Sequence, residues 1–308
     1  MRGSIILPTY LSEYCSPKIK NGIEDFSDTA SVIGPIFYAI RDEFKFELKY
    51  EDKIDVPFTT DMVVTFGIPY HNRPHLIPGI LDLSKHTKLV MFPGDLQCYN
   101  NSECLVNKIK VFERCDLLIS GAYEQFENLY PQFWHKYVFS PLFFGPHDRY
   151  TSISFNNNPI MRCLLSGSMN PEVYPLRVAI KNAHMNEIDY KPTLYVRGDR
   201  YAKMLNSYFC CATCGSIFNS PIAKYFEIPA AGSLLIANET NDLIKVGFIP
   251  NVHYVPITKH NFTTVISQCL KNPSAYETIR KTGMGFVREK HGLPNRIEQL
   301  KRIFDTLF

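Results

Sequence analysis

The stretch KYFEIPAAG, residues 224–232, carries a lysine and a glutamate among otherwise apolar residues. Lys224 and Glu227 are three positions apart, so they share one face if the stretch is helical. A lysine at a helix N-terminus favours binding of a diphosphate, and a glutamate one turn further can accept hydrogen bonds from a ribose diol. The alternative is an ordinary ion pair on a solvated helix face.

The residues around this stretch predict where the helix begins and ends. Asn219 or Ser220 can cap its N-terminus, and Pro221 fits the first helical position, where no hydrogen-bond donor is lost. Gly232 fits the position just after the last turn. The sequence therefore predicts a helix over 221–231.

A second polar feature lies upstream, in LLSGSMNPEVYPLR at residues 164–177. An apolar strand ends there in a turn containing Gly167 and Ser168, and Arg177 lies in the helix that follows. Turns of this kind expose backbone N–H groups to phosphates, but the Ser-Gly-Ser pattern alone is a weak signal. Arg177 taken alone is more typical of a solvated helix residue.

The first half of the chain offers fewer candidates. Asp95 follows the strand 87–92 in a Pro-Gly-Asp turn, where it could act as a base or orient an acceptor, or could simply favour the turn. His71 and His75 follow the preceding strand and could bind a phosphate or an acceptor. Zinc is excluded as an interpretation of these three residues, because they lack ligand spacing on a common element.

Strands and helices alternate along the chain. In the first half, apolar runs at 3–8, 61–68, 87–92, 116–121 and 136–144 alternate with helical patterns at 31–44, 103–115 and 123–130. In the second half, the same alternation places strands at 161–167, 208–214, 233–238 and 252–257. Parallel strands covered by helices on both faces produce this pattern.

The alternation restarts after residues 145–159, a stretch rich in Asn, Ser and Pro without periodicity, which we interpret as a linker. The predicted fold class is α/β, with two doubly wound Rossmann-like domains at 1–150 and 151–308 and a cleft between the carboxyl ends of their strands. The apolar stripe of the last helix, 294–306, could cap the second domain or cross back to the first.

Composition excludes several classes of protein. The 308 residues are 45% hydrophobic and 20% charged with a formal charge of +3, which fits a globular protein and gives no electrostatic case for nucleic acid. No signal peptide or membrane-spanning segment is predicted. Nine cysteines, mostly within apolar segments, indicate reduced thiols and a cytoplasmic protein. The Cys211-x-x-Cys214 pair fits a buried strand better than a zinc or redox site.

The segments quoted above resemble a known family. Lys224, Phe226, Glu227, Ala230 and Gly232 match the nucleotide-sugar motif of group 1 glycosyltransferases of the GT-B fold, most closely their spore-maturation (CgeB-like) branch. The branch's Y-P-x-R segment is matched by Tyr174, Pro175 and Arg177, and its closing helices by His291 and Arg296. The resemblance covers roughly 160–305 well and the first half only by the order of its elements.

This resemblance implies transfer of a hexose or pentose from a nucleoside diphosphate sugar to a glycan or other hydroxyl acceptor. Glu227 would hold the ribose, and Arg177 and Lys224 would meet the diphosphate near the backbone of the turn at 166–168, which contains Gly167 and Ser168. Group 1 enzymes often carry a second glutamate eight residues before the first, where this chain has Asn219. Asp95 is the candidate carboxylate in the first domain, which would bind the acceptor.

The resemblance also implies retention of the anomeric configuration and a last helix that crosses back to the first domain. A divalent metal cofactor is not expected, because the sequence has no D-x-D motif to hold one. Two alternatives stay open on the same architecture. One is a nucleotide-sugar epimerase, and the other is a non-catalytic nucleotide-sugar-binding protein. The oligomeric state is not predicted.

Overall fold

The computed structural model describes residues 2–12, 16–27, 29, 34–54, 58–69, 72–191 and 196–308. The chain divides into two compact units. The first unit consists of Met1–Ser16, Ile33–Pro141 and Arg296–Phe308, and the second consists of Pro17–Val32 and Leu142–Asn295.

The described elements follow one another in the alternating order that the sequence predicts. The strands are β1 Gly3–Leu7, β2 Lys18–Lys20, β3 Ile23–Asp25, β4 Glu47–Tyr50, β5 Met62–Phe66, β6 Lys88–Phe92, β7 Leu117–Ser120, β8 Tyr137–Phe139, β9 Ile160–Ser166, β10 Ile188–Lys191, β11 Tyr208–Thr213, β12 Leu234–Ala237 and β13 Val255–Pro256. The α-helices are α1 Gly34–Phe44, α2 Ser102–Arg114, α3 Tyr123–Leu129, α4 His147–Thr151, α5 Pro175–Asn182, α6 Gly198–Ser207, α7 Lys224–Ala230, α8 Asn241–Lys245, α9 Phe262–Lys271, α10 Pro273–Lys290 and α11 Leu293–Asp305.

Each unit contains one parallel sheet. The strand order in the first unit is β4-β1-β5-β6-β7-β8, and in the second it is β10-β9-β11-β12-β13. All neighbouring strands within these two sheets are parallel. The central strands β5 and β11 are buried along their whole length, as expected for strands with helices on both faces. The predicted α/β fold class with two Rossmann-like halves is confirmed.

Two strands that the sequence did not predict, β4 and β10, lie at the edges of the sheets. Neither contains a fully buried residue. Edge strands have a neighbour on one side only, so they need no continuous apolar run and leave no clear hydrophobic pattern. The hairpin formed by β2 and β3 was also not predicted, and it belongs to the second unit.

The stretch 145–159 is not a linker in the structure. It contains the short helix α4, it belongs to the second unit, and Tyr150 within it is fully buried. Arg288 donates hydrogen bonds to the carbonyl oxygens of Tyr150 at 2.6 Å and Ile153 at 2.7 Å. The composition of this stretch suggested a linker. The prediction was wrong because side chains distant in sequence form hydrogen bonds with its polar groups, and local patterns do not reveal such bonds.

The last helix, α11, contributes to the core of the first unit from Arg296 onward. Leu300 and Phe304 are buried, and the Phe304 ring centroid lies 5.0 Å from that of Phe44. Gln299 donates to the carbonyl oxygen of Phe139 at 2.9 Å. Phe308, which follows the helix, is exposed.

Eight of the nine cysteines fall within the described residues, and all eight are free and buried. This agrees with the prediction of reduced thiols inside apolar segments. Across the described residues, we find no helix whose length and apolar character would suit a membrane span.

Candidate functional site

The turn after β9 brings two cationic side chains together. Gly167 has a φ of +114°, which favours glycine, and a Cβ there would lie 2.9 Å from Nη1 of Arg177 and 3.0 Å from Cε of Lys224. Any larger residue would therefore push both cations away from the turn. Gly167, Arg177 and Lys224, which the sequence singled out separately, form one cluster at the carboxyl end of the sheet.

Arg177 is a buried residue, contrary to what its position on a helix suggests when taken alone. It lies in the first turn of α5 and is 1% exposed. Nη1 donates to the carbonyl oxygen of Ser168 at 2.9 Å, and the guanidinium lies 4.0 Å from the Tyr174 ring centroid. Nε has no hydrogen-bond partner within the described part of the chain. A buried guanidinium with an unused donor is well suited to bind an anion.

Lys224 is the first residue of α7, and two polar groups hold its ammonium. Nζ donates to the Tyr201 hydroxyl at 2.6 Å and to Oγ of Ser166 at 3.5 Å. Burial, together with the nearby charge of Arg177, lowers the pKa of Lys224 to about 8 against the opposing effect of the Glu227 carboxylate. No local sequence pattern singles out Tyr201, which lies in α6 and is brought next to Lys224 only by the fold.

Glu227 lies inside the second unit and not on a solvated face. It is 7% exposed, and its Oε1 accepts a hydrogen bond from the Tyr150 hydroxyl at 3.1 Å. Burial raises the pKa of Glu227, while Lys224 and the Tyr150 hydrogen bond oppose that increase. The alternative of a surface ion pair between Lys224 and Glu227 is therefore wrong. A buried carboxylate facing this cluster is the arrangement expected of a ligand-binding group.

The helix that carries Lys224 and Glu227 begins later than predicted. The cap residue is Ala223, which makes no side-chain cap hydrogen bond. Asn219 has a φ of +55°, and its N–H donates to the carbonyl oxygen of Ser216 at 2.9 Å, so it belongs to the preceding turn. Asparagine tolerates this left-handed conformation well, which explains why Asn219 lies in a turn and does not cap the helix. The predicted end is correct, because Gly232 follows the helix with a φ of +84°.

A cavity of about 480 Å³ lies at the carboxyl ends of β11, β12 and β13, and Gly167, Arg177 and Lys224 are not among its lining residues. Its lining includes Pro175 at the start of α5, Gly215, Asn238 and Thr258. Asn238 Oδ1 accepts a hydrogen bond from the Gly215 N–H at 2.9 Å. The cavity therefore adjoins the first turn of the helix that carries Arg177, and it offers backbone and side-chain polar groups to a ligand.

Asp95 lies in the first unit, whereas the second unit contains Gly167, Ser168, Arg177, Asn219, Lys224 and Glu227. It is exposed, in the loop after β6, and its carbonyl oxygen accepts a hydrogen bond from Nζ of the buried Lys108 at 2.7 Å. The backbone of Asp95 is thus held while its side chain remains accessible. His75 lies 3.2 Å from the Glu51 carboxylate, and His71 is outside the described residues.

Solved structures share this fold over the whole chain. HepE of Anabaena, in complex with UDP, has a TM-score of 0.62 at 10% identity, covering 99% of this chain and 100% of that one. Sucrose-phosphate synthase from Thermosynechococcus elongatus has a TM-score of 0.57 at 11% identity, covering 100% and 99%. A glycosyltransferase from Rickettsia africae has a TM-score of 0.58 at 10% identity, covering 99% and 98%. The fold is therefore of the GT-B class.

The sequence match is confined to the second half. Residues 161–302, just under half of the chain, match the model of a family described as glycosyl transferase-like. The matched range contains the three cluster residues Gly167, Arg177 and Lys224, and also Glu227. No curated protein matches the sequence of this chain.

Proposed function

We propose that this protein is a glycosyltransferase that moves a sugar from a nucleoside diphosphate sugar to a hydroxyl group of a glycan or another acceptor. One observation carries the proposal: Arg177 and Lys224 converge on the Gly167 turn at the carboxyl end of a parallel sheet. Two cations beside a glycine turn suit a diphosphate. The family match of residues 161–302 supports the same assignment.

The donor would lie along the second unit. Arg177 and Lys224 would bind the diphosphate and stabilise the negative charge that develops on it as the sugar leaves. Glu227 would accept hydrogen bonds from the ribose, and the cavity near Gly215 and Asn238 would receive the base. Because HepE, a protein of the same fold, was solved with UDP, uridine nucleotides are the first donors to test.

The reaction exchanges one bond at the anomeric carbon for another. The bond from the sugar C1 to the diphosphate oxygen breaks, the acceptor oxygen bonds to C1, and the acceptor hydroxyl loses its proton. Asp95 is the candidate to take that proton or to orient the acceptor, since it is exposed on a loop whose backbone is held. Asn219 is the candidate to contact the donor sugar. By resemblance to group 1 enzymes, the anomeric configuration would be retained.

Membership in the spore-maturation (CgeB-like) branch is part of the same proposal, supported by Lys224, Glu227 and Arg177 in the spacing quoted above. The proposed location is the cytoplasm, supported by eight free, buried cysteines.

Catalysis is proposed to proceed without a divalent metal, because the two cationic side chains would neutralise the leaving diphosphate. We therefore expect transfer, or hydrolysis of the donor, to continue at its full rate in excess EDTA. The measurement is release of nucleoside diphosphate with and without the chelator. Loss of activity in EDTA that manganese or magnesium restores would contradict this part of the proposal.

Donor binding should weaken at alkaline pH because the pKa of Lys224 is lowered to about 8. Below pH 8 the ammonium is charged and attracts the diphosphate. As the pH rises through 8 that charge is lost, and the affinity for the donor falls, by at most about tenfold for each pH unit. Burial raises the pKa of Tyr201 well above its usual range, so the phenol stays neutral in this window.

Calorimetric titration of a nucleoside diphosphate sugar across this pH range measures the effect. Lys224→Arg is the control, since a guanidinium stays charged throughout, and its affinity should be independent of pH. A wild-type affinity that stays constant from neutral pH to well above pH 8 would contradict the loss of the Lys224 charge in this range.

A panel of nucleotide sugars tests the function itself. Thermal shift first identifies the donor, because a bound ligand raises the melting temperature. Release of nucleoside diphosphate in the presence of hydroxyl acceptors then separates the alternatives. A transferase releases it, an epimerase converts the donor without an acceptor and releases none, and a binding protein does neither.

A further inference from the structure

We propose that Tyr150 is a positioning residue that holds the Glu227 carboxylate in the orientation that binds ribose; this rests on the role proposed for Glu227. Tyr150 lies in α4, is fully buried, and donates its hydroxyl to Oε1 of Glu227 at 3.1 Å. With Oε1 held by Tyr150, we assign the second oxygen, Oε2, to the ribose hydroxyls.

A fixed donor is needed here because Glu227 is buried. Burial raises the pKa of this carboxyl and favours its neutral form, in which one oxygen carries a proton and is a poorer acceptor. A hydrogen bond from Tyr150 stabilises the ionised form and also restricts the rotation of the glutamate side chain. Both effects prepare the carboxylate for a ligand before the ligand arrives.

The Tyr150 hydroxyl can hold the Glu227 carboxylate in place because the backbone of Tyr150 is anchored to the helix that carries Glu227. Arg288 donates to the carbonyl oxygen of Tyr150 at 2.6 Å and to that of Ala230, in the same helix as Glu227, at 2.9 Å. The neighbouring Arg149 donates to the carbonyl oxygen of Phe26 at 2.7 Å. These bonds fix the segment on both sides, so the distance between hydroxyl and carboxylate is set by the fold.

Packing alone does not explain the hydroxyl. The Tyr150 ring packs against Phe144 at a centroid distance of 5.6 Å, a contact that phenylalanine would make equally well. Burying an oxygen is unfavourable unless it forms a hydrogen bond, and the hydrogen bond that this oxygen forms is to Glu227. Tyr150→Phe therefore removes the proposed function of the residue and leaves its packing in place.

The experiment compares two ligands that differ only in their ribose hydroxyls. The probes are whichever of UDP, GDP, CDP and ADP gives the largest thermal shift, and its 2′,3′-dideoxy analogue. We expect Tyr150→Phe to weaken binding of the ribonucleotide about tenfold, the effect of losing one hydrogen bond to a charged group, and to leave the dideoxy affinity unchanged. Glu227→Ala should abolish the preference for the ribonucleotide altogether.

Tyr208→Phe is the matched control. Tyr208 is also a buried tyrosine of the second unit, and it donates to a carboxylate, Asp189, at 3.0 Å. It lies at the opposite end of β11 from the site, so this variant should bind both nucleotides as the wild type does. Melting temperatures establish that all variants are folded. If Tyr150→Phe does not fold, Arg288→Lys is used instead, because it loosens the backbone of Tyr150. We expect Arg288→Lys to weaken binding of the ribonucleotide less than tenfold and to leave the affinity for the dideoxy analogue unchanged.

The outcomes separate the two proposals. Equal weakening of both nucleotides by Tyr150→Phe, or no weakening of either, overturns the positioning role while leaving the proposed function in place. If the wild type binds no nucleoside diphosphate, or Glu227→Ala keeps the full ribose preference, the proposed function of Glu227 is wrong and the role of Tyr150 is excluded with it.

Discussion

Deleting residues 296–308 is expected to unfold the first unit and to abolish transfer, while nucleotide binding by the second unit survives. Ile297, Leu300 and Phe304 are buried in this segment. Removing three such side chains from the core costs about 5–9 kcal/mol at about 1.5–3 kcal/mol each. That loss is comparable with the whole stability of a typical domain, about 5–15 kcal/mol.

The deletion begins at Arg296 so that Asn295, whose Oδ1 accepts a hydrogen bond from the Gly292 N–H in the second unit, is kept. Calorimetric unfolding and nucleotide titration are the measurements. Removing only 306–308, which includes the exposed Phe308, is the control and should leave both the unfolding temperature and the nucleotide affinity unchanged. A deletion variant that melts like the wild type and transfers sugar at the same rate would show that this helix does not support the first unit.

Replacing Arg177 by methionine should weaken nucleoside diphosphate binding by about 1.5–3 kcal/mol, the range for losing hydrogen bonds to a charged partner. Methionine keeps an unbranched side chain to pack beside the Tyr174 ring, so the change removes mainly the charge and its donors. The effect should be large because Arg177 is 1% exposed, and water screens a buried charge poorly. Titration of the nucleotide identified by thermal shift measures it.

Arg280→Met is the matched control for that variant. Arg280 is also buried, and its Nε likewise has no hydrogen-bond partner among the described residues, but it lies over the Phe155 ring and donates to the carbonyl oxygen of Gly232. Its loss should lower the melting temperature and leave nucleotide affinity unchanged. If both variants bind nucleotide with wild-type affinity, Arg177 has only a structural role and the diphosphate site lies elsewhere.

The sequence reveals those parts of the site whose residues lie close together along the chain. The Gly167 turn and the order Lys224-x-x-Glu227 are local, so residue types and spacing identified them. Tyr150 is 77 residues from Glu227, and Tyr201 is 23 residues from Lys224. No local pattern links such pairs, and nothing in the polar segments around these two tyrosines marks them as buried or functional.

The sequence alone determined the fold class, because the alternation of apolar runs and helical periodicity follows from which faces of parallel strands and covering helices must be buried. It also determined the end of the helix carrying Glu227, since Gly232 takes a backbone conformation that few other residues tolerate. Only the tertiary structure decided that Arg177 and Glu227 are buried, that 145–159 belongs to the second unit, and that the pKa of Lys224 is lowered. Burial and electrostatic environment depend on every segment packed around a group, and those segments come together only when the chain folds.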